Sequence, residues 1–153
     1  MKPVLQALLL ADHIYEDKTT GKKVVAGIFH QLCYIPRDVL KAESEKQGGS
    51  IPVIRAGYQS GSPFAYFSLT DIHPGDQEFT ARYVDLHDDR VWFQIQVKLN
   101  VEDRLQVAEV IIPLPVLPAF KPGVFAFELL WHDEPLGSYR VNVVEGSFGG
   151  PNK

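Results

Sequence analysis

Four of the five histidines in this chain stand beside an aspartate: Asp12-His13, Asp71-Ile72-His73, Asp85-Leu86-His87-Asp88 and His132-Asp133. Imidazole and carboxylate together make a ligand set for Zn²⁺, Mn²⁺ or Fe²⁺, and carboxylates alone suit Ca²⁺. All four groups fall where strand-like runs end, so a metal site would have to be gathered from several loops on one rim of the fold. The strand order places Asp12, His13, Asp71, His73, His132 and Asp133 on one such rim, and the Asp85–Asp89 turn on the other. A further reversing strand at 52–56 would carry Asp71 to the opposite rim and dissolve the group. Such a rim could bind a divalent metal without chemistry or use it for hydrolysis. Against this stands simple turn chemistry: Asp collects at strand ends because its side chain bonds nearby backbone N–H groups.

Trp92 is the second candidate. It falls in the clearest alternation of the chain, where Val91, Phe93, Ile95, Val97 and Leu99 share one face and Trp92, Gln94, Gln96 and Lys98 share the other. A Trp flanked by the amides of Gln94 and Gln96 on a flat sheet can stack on a sugar ring or anchor a protein interface. The competing expectation is that the ring is covered, by a helix at 37–46 or along the stem of Lys98. Cys33 is the single cysteine, so a disulfide or a thiolate metal cluster within one chain is excluded. It sits in the apolar run Phe29, Leu32, Tyr34, Ile35, and His30, three positions away, leaves a strand from the opposite face. The thiol therefore reads as buried and inert. No nucleophile elbow, phosphate loop, dinucleotide fingerprint, zinc-protease helix or Ca²⁺ loop is present in the sequence.

The elements that must position these residues are strands. Turn residues punctuate β-like runs at 4–15, 23–34, 64–70, 78–86, 90–99, 105–112, 124–131 and 138–144. The first run is apolar on both faces and is expected to be covered on both sides over its first half. Asp17 to Lys22 reads as a hairpin loop with Gly21 at positive φ. From Arg37 to Lys46 the pattern becomes helical, with Val39, Leu40 and Glu43 in register, and the Gly48-Gly49 pair ends it. Residues 52–56 could form a short edge strand. The proline-rich segment 113–122 should be extended and carry the chain from one sheet to another. Long connections at 36–62 and 113–122 favour a sandwich over an up-and-down barrel. The expected fold is thus all-β: a two-layer antiparallel sandwich of about eight strands with one short helix. It occupies residues 1–145 as one domain, with a mobile Gly/Pro/Asn tail at 146–153.

Three segments resemble an uncharacterised bacterial family of small β-sandwich proteins. They are Ala7-Leu8-Leu9-Leu10-Ala11-Asp12 with its hairpin; Phe67-Ser68-Leu69-Thr70-Asp71; and Pro122-Gly123-Val124-Phe125-Ala126-Phe127 with Leu136-Gly137 and Val141-Asn142-Val143-Val144. The resemblance implies the same sandwich. The family has no assigned activity, so it implies no site residues.

Composition narrows the function further. At 45% apolar, 22% charged and a net charge of −4, the chain is an ordinary globular one, and it lacks the basic face a nucleic-acid partner requires. The N-terminal apolar stretch is short, is broken by Gln6 and runs straight into patterned structure, so it reads as a first strand of a cytoplasmic protein rather than a signal peptide. No run has the length of a membrane span. The leading reading is a non-catalytic binding or assembly module, holding a protein partner or a second copy of itself by an exposed sheet face or edge. The alternatives are the Asp/His metal rim, with a divalent ion as its only cofactor, and glycan binding through Trp92.

Overall fold

A computed structural model of the chain describes residues 1–46, 48 and 62–146. These residues form nine strands and one helix: β1 (Val4–Glu16), β2 (Lys23–Ile28), β3 (Gln31–Tyr34), α1 (Arg37–Lys46), β4 (Phe64–Thr70), β5 (Gly75–Asp85), β6 (Arg90–Val101), β7 (Ala108–Pro113), β8 (Gly123–Trp131) and β9 (Glu134–Glu145). They make two sheets, β2-β1-β4-β7 and β3-β9-β8-β5-β6, so the fold is an all-β sandwich. Every neighbouring pair is antiparallel except β3 and β9. Residues 113–122 carry the chain from β7 in one sheet to β8 in the other, as the prolines there require. The possible strand at 52–56 lies outside the described residues, as does the expected tail beyond Gly146.

The core is built by period-two alternation from both sheets. Phe67, Phe79, Tyr83, Phe125 and Phe127 are at most 1% exposed. Tyr83 stacks between Phe125 and Phe93, with ring centroids 5.3 and 5.5 Å apart. Each such ring removed from water contributes roughly 1.5–3 kcal/mol. In β1, Leu10 points into this core opposite Ala65, and on the other face Ala11 is also fully buried while Ala7 and Leu9 are half-buried. The two-sided apolar pattern of that strand therefore has a structural counterpart.

The expected single return strand at 23–34 is in fact two. Gly27 takes a φ of 77°, a conformation that L side chains seldom adopt, and the chain turns at Phe29-His30 to leave one sheet for the other. Tyr139 of β9 fixes that link: its hydroxyl donates to the Phe29 carbonyl at 2.6 Å, and its ring stacks on His30 with centroids 4.6 Å apart. The His30 carbonyl then accepts from the Asn142 N–H at 2.8 Å, and β3 runs parallel to β9 from there. The β1–β2 loop follows expectation, with Gly21 at φ 72° and the Asp17 carboxylate accepting from the N–H groups of Thr19 and Thr20.

Candidate functional site

The six residues expected on one rim do not come together. Val4 stands opposite Thr70 and Ala11 opposite Phe64, so Asp71 lies beside the beginning of β1. Phe64 and Asp71 are seven residues apart, or roughly 23 Å at 3.3 Å per residue. Asp12 and His13 are therefore far from Asp71. The β8–β9 hairpin that carries His132 and Asp133 does lie at the Asp71 end, because Glu134 pairs with Lys2 at 2.9 Å. The error came from counting reversals: the single-rim reading needs β4 to run parallel to β1, whereas β2 and β4 are both antiparallel to it.

Turn geometry accounts for the acidic and histidine residues that remain. His132 and Asp133 have φ of 49° and 63°, the two positive values of a type I′ hairpin closed by the Trp131–Glu134 pair. Asp71 has φ 56°, and its carboxylate accepts from Arg104 at 2.7 Å and from the Thr70 hydroxyl at 3.3 Å. The His73 ring lies 2.9 Å from the carbonyl of its neighbour Pro74. Asp12 packs against Gly27, where a Cβ would come within 2.6 Å of its Oδ2. Among the described residues no three His, Cys, Asp or Glu side chains are grouped to hold a metal ion. The opposite rim, as expected, holds the Asp85 group, and its Asp85 carboxylate is buried. Asp85, 2% exposed, accepts from the His87 N–H at 2.9 Å and lies 3.6 Å from the Lys121 amine. It lines a hollow of about 510 Å³ with Leu86, Pro122 and Val124.

Trp92 is half-buried. Phe120 approaches edge-on at 5.2 Å and the Arg90 guanidinium lies 4.1 Å from the ring centroid. One face of the indole is therefore occupied by a cation, which leaves a sugar ring little to stack on. The register explains the corner. Val84 faces Val91 and Tyr83 faces Phe93, so Trp92 is an extra residue, a β-bulge. The bulge also breaks the alternation: Val91, expected on the core face, is 42% exposed. Gln94 and Gln96 are exposed beyond it. In the amide orientation that satisfies both ends, the Gln96 nitrogen donates to Glu78 and Thr80 at 3.1 Å each and its oxygen accepts from the Gln94 amide at 3.2 Å.

The strand that bears these residues is more informative than any one of them. β1 packs across from β9, with Gly137 against Leu5. Counting outward through both sheets stacks β4 on β8 and β7 on β5, and leaves β6 with no strand above it among the described residues. Burial agrees. The inward residues of β5 (Phe79, Ala81, Tyr83) are fully buried, whereas Phe93, Ile95, Val97 and Leu99 of β6 are only half-buried. The sequence placed the row Phe93–Leu99 correctly on the inner face, but the unequal strand count of the two sheets was not visible in it.

No family model and no curated protein matches this chain. Among the described residues, no helix is long and apolar enough to cross a membrane.

Proposed function

We propose that this protein is a non-catalytic assembly module that holds a protein partner by adding a strand to β6. The overhang of β6 carries the proposal. It is a 12-residue edge strand with no paired strand on its outer side among the described residues, and its inner row is apolar and half-covered. The other edges are short or blunted: β3 has four residues, β2 six, and β7 six ending at Pro113. A partner strand would satisfy the outward N–H and C=O groups of β6 and bury the Phe93–Leu99 row in the same step.

The test is Ile95→Lys, which places a charge in the half-buried inner row at the edge of the core. The chain should keep its cooperative melt and lose partner binding, while in the wild type the amides of residues 93–99 should exchange more slowly when the partner is bound. Binding that survives Ile95→Lys, or leaves those amides unchanged, would refute the reading.

A further inference from the structure

We infer that the hollow between Asp85 and Lys121 is a binding site for a small primary amine, whose ammonium takes the Asp85 carboxylate and whose hydrocarbon body lies on the apolar wall. Such a site does not depend on a partner at β6. Asp85 continues the inward row of β5 after Phe79, Ala81 and Tyr83, so the pleat that builds the core also carries a charge into the end of the sandwich. Two segments, 85–87 and 121–124, wall the hollow, and the Leu86 N–H fastens them by donating to the Val124 carbonyl at 3.0 Å. Its volume of about 510 Å³ is that of a small-ligand pocket.

The carboxylate is short of donors. At 2% exposure it has lost most of its water, and a buried charge needs hydrogen bonds on both oxygens to offset that cost. Oδ1 has one, from the His87 N–H at 2.9 Å. To Oδ2 the described residues offer the Lys121 amine at 3.6 Å, too far for a hydrogen bond and on a half-exposed side chain. The core side adds nothing from Tyr83, two residues back on the same face, whose hydroxyl is buried without a hydrogen-bond partner. A ligand ammonium can displace Lys121 and reach Oδ2 directly, making the short charge-assisted bond that the lysine does not make. The charge nearby favours a cation: Asp85, Asp88 and Asp89 outnumber Lys121 and Arg90, and the Arg90 guanidinium is held on the Trp92 ring. Leu86, Pro122 and Val124 make the wall beside the carboxylate apolar, and Val124 is 39% exposed, which selects a hydrocarbon body over a polar one.

The experiment titrates phenethylammonium chloride into the isotope-labelled full-length protein and follows the amides of Leu86, His87, Gly123 and Val124 by NMR. Phenylacetate and phenethyl alcohol present the same body with a negative charge and with none. The wild type should show saturable shifts at these amides, in the millimolar range, with the ammonium alone. Asp85→Asn keeps an acceptor for the His87 N–H and removes the charge, so it should keep a cooperative melt and bind at least about tenfold more weakly. Lys121→Met removes the competing cation and should bind several-fold more tightly. A wild type without saturable shifts there, equal shifts with phenylacetate or phenethyl alcohol, or undiminished binding by Asp85→Asn would overturn the site. Weaker binding by Lys121→Met would overturn the displacement of Lys121 on which the site depends.

Discussion

Replacing Tyr139 by Phe removes the hydroxyl that ties down the chain where it changes sheets. The ring stays, and with it the packing of β9 and the stack on His30; the hydroxyl's bond to the Phe29 carbonyl at 2.6 Å and its 3.1 Å contact with His30 Nε2 are lost. A net hydrogen bond contributes about 1 kcal/mol, and the Phe29 carbonyl, in a link at the protein surface, can recover part of its bonding from water. The expected loss is therefore about 1–1.5 kcal/mol, or about 2–5 °C in melting temperature for a chain of this size. Urea unfolding followed by tryptophan fluorescence measures the loss, and amide exchange locates it: residues 31–34 of β3 should open more readily while β8 is unchanged. Burial also pushes the Tyr139 hydroxyl up, to about 12 from the usual 10, and raises that of Tyr83 as well, with the Asp85 carboxylate adding to burial there. Below pH 10 these hydroxyls are protonated in the folded and unfolded chains alike. Above it the unfolded chain loses protons that the folded one keeps, so stability falls as pH rises, by at most about 1.4 kcal/mol per pH unit for each group. Tyr139→Phe should make that alkaline decline shallower. A variant that loses less than about 0.3 kcal/mol, or that keeps the full alkaline slope, would refute the role given to the hydroxyl.

Three further outcomes follow from the geometry. Gly27→Ala should cost about 1–3 kcal/mol, since it meets both a positive φ and the Asp12 carboxylate; adding Asp12→Ala should recover only part of it in urea titration. Asp85→Ala should lose about 2 kcal/mol by stranding the His87 N–H, whereas Asp85→Asn should lose less than about 1 kcal/mol; equal losses would show that the pairing with half-exposed Lys121 matters more than the turn. Millimolar Ca²⁺, Zn²⁺ or Mn²⁺ should leave the melting temperature within about 1 °C, because Asp71 is engaged by Arg104 and no three such ligands are grouped among the described residues; a rise of several degrees would restore the rim site.

Much of the fold was legible because strand patterning is local. Alternation gave the inner row of β6, the hairpin loop at 17–22 followed from Asp and Gly chemistry, and the prolines at 113–118 marked the change of sheet. The helix at 37–46 came from spacing alone. What misled was any inference that summed over several connections. The single glycine at 27 split a strand and sent its second half to the other sheet. The direction of β4, antiparallel to β1, fixed the position of Asp71.

The candidate surfaces divide the same way. By itself the sequence determined that Asp and His gather at turns, and that Phe93, Ile95, Val97 and Leu99 share a face with Gln94 and Gln96 on the other. Only the tertiary structure decided that Asp12 and His13 lie far from Asp71, that a bulge seats Trp92 between Arg90 and Phe120, and that five strands face four among the described residues. The reason is physical. Side-chain direction along a strand is fixed by the two-residue pleat, whereas what lies above that strand depends on pairings between residues far apart in the chain. Of the Asp/His pattern with which the sequence began, Asp71, His132 and Asp133 are turn residues at positive φ, and β6 is the edge on which the proposed assembly rests.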